Sequence, residues 1–324
     1  MFLFEEIFKD TIWGGDRIAR LKGITLSRQD IGESWEISGL PGHETLVRCG
    51  PDKGKSLKDL AAEYGEDLLG SHVFERYGTD FPILVKFIDA HADLSIQVHP
   101  DDKLAQARHG CNGKTEMWYV VDAVDEGRLM VGFDHTMSAT EYDKSLEKGD
   151  IADKIRSHQA KKGDVFFLPS GRIHAACTGV LLAEIQQSSD ITYRIYDYGR
   201  KDNEGKLREL HTNEAREALD FTSHDDYRTH YTSNDEQPTT LAECEYFKTE
   251  LLNIRHKTRL TLPSPDSFSI IICMEGEVKV SQKDGLSPGT ALLKAGHTML
   301  LPANATSVCL TPSTPSKLLQ VAVP

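Results

Sequence analysis

The sequence predicts a mainly β chain folded as a β-sandwich or barrel, and three observations predict it. Short apolar runs recur between Gly, Pro, Asp and Asn punctuation, too short for helices and bounded by turn formers. Helix-period patches are few. One strand–turn pattern occurs twice: residues 294–304 repeat the register of residues 161–171, an offset of 133 residues from Gly163 to Gly296. The chain of 324 residues is long enough for two domains of ordinary size. The expected division is residues 1–221, a polar linker at 222–240 rich in Ser, Asn, Asp and Pro, and residues 241–324.

Taken in chain order, the first strong helical patch runs from Ser56 to Leu69. Ser56 is a possible N-cap, and Leu57, Leu60, Ala61, Tyr64 and Leu68 share one face. Residues 95–100 alternate, so Gln97 and His99 fall on one side of a strand, with Ile96 and Val98 on the other. A short helix is expected over Asp101 to Arg108. Residues 114–121 form another strand, which puts Glu116 on the face shared by Trp118 and Val120. Ser138 to Leu146 reads as a helix, with Glu141 three residues after its opening serine. Thr212 to Leu219 also reads as helical. Val165 to Leu168 is a buried strand. Pro169-Ser170-Gly171 turns the chain, Gly171 supplying the backbone freedom, and His174 follows at the start of the next strand. Residues 193–198 alternate again and carry Arg194 among aromatic neighbours. In the second copy of the strand–turn pattern, Ser307 stands where His174 stands in the first. The expectation is a second sandwich that keeps the fold without a metal.

Polar side chains with free electron pairs are costly on the inward face of an apolar strand unless something satisfies them. Gln97, His99, Glu116 and His174 are such groups. Together they make a four-donor set of nitrogen and oxygen atoms, which suits zinc.

Composition excludes several classes. A formal net charge of −13 argues against nucleic acid as a partner. No apolar run is long enough to span a bilayer. The start, Met1 to Glu6, turns acidic at once and lacks the pattern of a signal peptide. The six cysteines are scattered and read as reduced thiols of a cytoplasmic protein.

The spacing from Gly163 through Pro169-Ser170-Gly171 to His174 resembles the second motif of the cupin superfamily. A wider set looks like the type I mannose-6-phosphate isomerases in their short bacterial form. It comprises Trp13-Gly14-Gly15, residues 32–38 (GESWEIS), residues 81–87 (FPILVKF), residues 95–102 (SIQVHPDD), residues 114–119 (KTEMWY) and residues 192–198 (TYRIYDY). The resemblance runs from about Phe4 to Arg200. Gln97-x-His99, in place of the His-x-His of many cupins, and the distance from His99 to Glu116 both follow the isomerase pattern.

The resemblance implies two cupin-like jelly rolls and one Zn²⁺ per chain on Gln97, His99, Glu116 and His174. The reaction it implies interconverts mannose 6-phosphate and fructose 6-phosphate through an enediolate. It implies Arg194, Lys114 and Lys86 as catalytic groups, and Trp13, Glu36, Ser95 and Lys103 as substrate contacts. The base stays open among Lys114, Lys86, Asp197 and Glu36. Another metal-dependent cupin enzyme, such as an iron dioxygenase, and a non-catalytic sugar-binding cupin are the alternatives.

Overall fold

The computed structural model describes residues 1–124, 126–201, 205–235 and 237–324. Asp125, Asp202, Asn203 and Glu204 of the expected first domain, and Glu236 of the expected linker, lie outside the described residues. The chain builds two β-sandwiches with the same strand plan, as the repeated turn pattern predicts. In the first, a six-stranded antiparallel sheet runs in the order Val165–Leu168, Glu116–Ala123, Val180–Gln187, Ile83–Ala90, Ile31–Ile37, Ile7–Gly15. It faces a five-stranded sheet ordered Tyr193–Tyr196, Ile96–Val98, His174–Ala176, Arg128–Phe133, Ile155–Gln159.

The second sandwich repeats this. Thr298–Leu301 pairs with Ser269–Glu275 as Val165–Leu168 pairs with Glu116–Ala123. Ser307 opens the strand Ser307–Pro312 as His174 opens His174–Ala176. That strand lies between Thr258–Thr261 and Glu277–Gln282.

The packing follows from the strand sequences. Glu116–Ala123 and Val180–Gln187 are buried along nearly their whole lengths, as expected of strands covered on both faces. Trp118, Val120, Leu129, Val131 and Leu182 fill the first sandwich. Leu252, Ile271, Val278, Val280 and Leu310 fill the second. Outside the first sandwich, Val85, Phe87, Met117 and Ile185 share one continuous core with Phe247, Phe268, Ile270 and Leu319 of the second. Phe81 and Phe268 meet across this seam with ring centroids 4.6 Å apart. Each side chain fully buried this way contributes about 1.5–3 kcal/mol. The outer face of the five-stranded sheet is covered instead by helices, through residues such as Tyr142 and Ala215.

The helices depart from expectation in detail. The patch from Ser56 is two helices, Leu57–Tyr64 and Glu66–Leu69, because Gly65 takes φ 47° and breaks the turn. Ser56 caps the first with Asp59 in a reciprocal pair. Ala139–Lys148 is capped the same way by Ser138 and Glu141. Asp101 caps Asp102–His109. Thr212 opens Thr212–Ala218 without capping it. Arg17–Lys22 and Ser71–Tyr77 are helices without a sequence expectation.

Within residues 222–240, the tyrosines anchor the chain to the first sandwich. Tyr227 is buried, and its hydroxyl donates to the Phe133 carbonyl at 3.0 Å. The Tyr231 hydroxyl donates to the Gly163 carbonyl at 2.7 Å. The polar composition of this stretch hides those two contacts.

Candidate metal centre and active-site cavity

Three strands converge on one buried point. His174 lies directly opposite Gln97 across the strand pair. His99 leaves the end of Ile96–Val98, and Glu116 opens Glu116–Ala123 in the facing sheet. One donor atom from each of His99, Glu116 and His174 lies within 4.8 Å of the others, and all three residues are buried. His99 Nε2 is 3.5 Å from Glu116 Oε2, and His174 Nε2 is 3.4 Å from Glu116 Oε1. The Gln97 amide reaches within 3.3 Å of His174 Nε2.

The outward nitrogens are already engaged. Each lies 2.8 Å from a backbone carbonyl, His99 Nδ1 from Ile191 and His174 Nδ1 from Arg172. This fixes the tautomers and leaves both Nε2 lone pairs facing inward. Burial, reinforced by Lys114, holds His99 well below the ordinary imidazole range. Burial pushes His174 down to about 4. Both rings are therefore neutral near pH 7.

The fit to a metal rests on unsatisfied atoms. His99 Nε2 and both Glu116 carboxylate oxygens are buried without a hydrogen-bond partner. Lys114 Nζ forms an ion pair with Glu116 Oε2 at 3.0 Å, which leaves Glu116 Oε1 and His99 Nε2 as the two of these buried atoms with neither a hydrogen bond nor an ammonium beside them. Such orphans are expensive unless a cation is bound. Two neutral imidazoles, a carboxylate and an amide are the donor set of a zinc-type site. Among the described residues no second group of three such donors converges. The interior beyond Ser307 is apolar.

A cavity of about 300 Å³ opens beside this point and is lined by Trp13, Lys86, Ser95, Gln97, Lys114 and Arg194, among others. A row of paired residues sits on successive strands in register: Trp118, Glu184 and Lys86, which line the cavity, and then Trp35. Glu184 accepts from the Trp118 indole at 2.9 Å and lies 3.5 Å from Lys114 and 3.8 Å from Lys86. Lys86 also lies within 3.8 Å of Asp190 and 3.7 Å of Glu33. Burial opposes the Lys114 charge, but Glu116 and Glu184 outweigh it and raise its pKa. Burial raises Glu116, and Glu184 raises it further against the pull of Lys114. Glu184 is lowered, its desolvation overcome by Lys114 and Lys86. Arg194 is the cross-strand partner of Gln97. It donates to the Glu209 carbonyl at 3.0 Å, and its Nε is buried without a partner.

Two expected substrate contacts lie elsewhere. Glu36 is enclosed on the opposite face of its strand, 2.8 Å from Lys22. Strand parity explains this: Glu33 and Trp35 face one way, Ser34 and Glu36 the other, each pair joined by a hydrogen bond. Lys103 sits on the helix Asp102–His109 and borders a separate surface groove with Ser170 and Asp220. Asp197, one of the candidate bases, is held by Arg200 and Arg208 and does not line the cavity.

The cavity also contains residues the sequence reading passed over: Glu33, Glu184, Asp190, Thr192, Arg208 and His211. A charge inside the apolar run Val180–Gln187 is a signal for Glu184. Arg208 has none.

Residues 1–151 match the family described as phosphomannose isomerase type I, catalytic domain. Over 302 residues, 92% of this chain and 92% of the relative, the sequence is 37% identical to the mannose-6-phosphate isomerase ManA of Bacillus subtilis. A stretch of 219 residues, 68% of this chain and 67% of the relative, is 39% identical to the mannose-6-phosphate isomerase of Streptococcus mutans. The fold superimposes on the crystal structure of the mannose 6-phosphate isomerase from Bacillus subtilis with a TM-score of 0.87. That match has 33% identity and covers 99% of this chain and 98% of the other.

Proposed function

The chain belongs to the type I mannose-6-phosphate isomerase family, and from that premise we propose that it interconverts mannose 6-phosphate and fructose 6-phosphate through an enediolate, with one zinc ion. The observation that carries this reading is the convergence of His99, Glu116 and His174, with unsatisfied atoms on His99 and Glu116, beside a cavity lined by cations and carboxylates. Gln97, whose amide here presents Nε2 to His174 and Oε1 to Ser95, would complete a set of four ligands with the amide turned over so that its oxygen faces the site. Bound there, zinc supplies Lewis acidity and a fixed orientation for a substrate oxygen.

The remaining roles fall to the chain's own groups. Moving a carbonyl between C1 and C2 needs a proton taken from one carbon and delivered to the other. Lys114, kept protonated by Glu116 and Glu184, donates to the substrate's carbonyl oxygen. A charge-bearing donor aimed at a developing oxyanion is where such a site gains most. Arg194, beside Gln97, stabilises the enediolate. The carbon-bound proton is carried by one of the three carboxylates that line the cavity within 3.8 Å of Lys86: Glu33, Glu184 or Asp190. Trp13 and Ser95 line the cavity as sugar contacts. The second sandwich, a degenerate copy of the first, buries the apolar back of the six-stranded sheet. Six free cysteines support a reducing, cytoplasmic setting.

The test is a coupled assay with mannose 6-phosphate, run on the chain as purified, after chelation, and after zinc is restored. Turnover that disappears with the metal and returns with zinc supports the proposal. Turnover of mannose 6-phosphate that persists in fully metal-depleted chain overturns the metal assignment, and no turnover in zinc-loaded chain overturns the reaction.

A further inference from the structure

The cations of the cavity are unequally balanced. Lys86 and Lys114 each lie within 3.8 Å of two or more carboxylates. The two arginines do not. Arg208 Nη1 donates to Asp197 Oδ1 at 3.3 Å. Arg200 donates to the same oxygen and anchors itself on the Asp197 and Asp93 carbonyls. Arg194 has no ion pair among the described residues, only the Glu209 carbonyl. Among the described residues, Arg200 and Arg208 thus share one carboxylate and Arg194 has none, and Arg194 and Arg208 both line the cavity.

This surplus of positive charge sits in a protein of net charge −13. Burial lowers Arg194, and Arg208 lowers it further. Burial is also the chief cause lowering Arg208. Half-buried like charges held together cost stability unless an anion joins them. The enediolate gives Arg194 a partner. Arg208 needs a second anion, and a guanidinium fork matches a phosphate better than an ammonium does.

We propose that Arg208 is the anchor for the substrate's phosphate, aimed into the cavity by the Asp197–Arg200 pair, and that it sets the preference for phosphorylated over neutral hexoses. This rests on the isomerase reading above.

The experiment uses the zinc-loaded full chain with Arg208→Gln and Arg208→Lys. It measures kcat and KM for mannose 6-phosphate, inhibition by inorganic phosphate, and metal per chain. Losing a charge-assisted contact of this kind costs roughly a factor of 10–100 in binding. Arg208→Gln should raise KM by about that factor and leave kcat within about threefold. Phosphate inhibition should weaken in parallel, with metal content unchanged. Arg208→Lys should recover only part of the loss. Unchanged KM and phosphate inhibition overturn the proposal, as does a fall in kcat with KM unchanged. Should Arg208→Gln lose its metal or fold, Arg208→Lys decides by the same KM criterion. Should the parent turn over no mannose 6-phosphate, the isomerase reading fails on its own. Titration of inorganic phosphate into parent and Arg208→Lys then still decides the anchor, equal affinities overturning it.

Discussion

His174 combines three constraints in one side chain. Burial keeps it neutral, the Arg172 carbonyl fixes its ring, and its position opposite Gln97 aims Nε2 at Glu116. Removing the imidazole leaves too few donors for tight binding. His174→Ala should therefore lose most bound metal by elemental analysis, and most activity with it, while unfolding as one cooperative unit. Arg194 separates chemistry from metal binding. Its loss removes a preorganised charge from a developing oxyanion, typically about 10²–10³ in turnover. Arg194→Ala should show that drop in kcat with metal content unchanged, and Arg194→Lys should recover little. A near-normal kcat for Arg194→Ala would remove Arg194 from the mechanism. At this scale the convergence of His99, Glu116 and His174 was legible because polar residues on inward strand faces demand a partner. Glu36 was misread because the choice between Glu33 and Glu36 turns on strand parity, which residues 32–38 leave ambiguous. Arg208 was invisible because tertiary folding, not local pattern, brings it to the cavity.

Gly132 shows how one strand fixes a loop far along the chain. It takes φ 70° where the register between Arg128–Phe133 and Ile155–Gln159 slips, as bulges on such strands do. A Cβ there would stand 2.0–2.4 Å from the ring and hydroxyl of Tyr227. Tyr227 is buried and bonded to the neighbouring Phe133 carbonyl, so the ring has no easy retreat. Gly132→Ala combines a strained backbone with that collision and should destabilise the protein by about 2 kcal/mol or more. The fall should show in thermal unfolding, together with earlier proteolysis near residue 227. A melting temperature within a degree of the parent would mean that the segment repacks freely. Helices announced by side-chain caps, Ala139–Lys148 and Asp102–His109, were legible to within a residue or two. Arg17–Lys22 has no side-chain cap and an end set by Gly23, so nothing in its sequence separated it from a loop.

The whole molecule is held by a seam with an apolar core, with the ion pairs Arg76–Glu245 and Lys162–Glu275 toward solvent and one enclosed ionic point. The repeat at 133 residues made the two sandwiches legible, but not the way they pack back to back. That depends on which strand faces are left apolar once each interior is filled. At the ionic point Lys22 is fully enclosed and donates to Glu36, to Glu6 and to the Gly296 carbonyl of the second sandwich. Burial pushes the Glu36 carboxyl up to about 7, Lys22 opposing and Glu6 adding to the rise. The folded value lies above the ordinary 4.5, so the fold favours the protonated acid. Its stabilising contribution is complete below about pH 4.5 and is lost as pH rises through about 7. Glu36→Gln stays neutral throughout and keeps the shape of the acid. The stability of the parent relative to Glu36→Gln should therefore fall between these two pH values, by at most about 1.4 kcal/mol per pH unit, and level off above them. Urea midpoints for both proteins at half-unit steps from pH 5 to 8 read this directly, and the subtraction removes the histidines common to both. A difference that is flat or rises over that range would show that Lys22 holds Glu36 ionised at the seam.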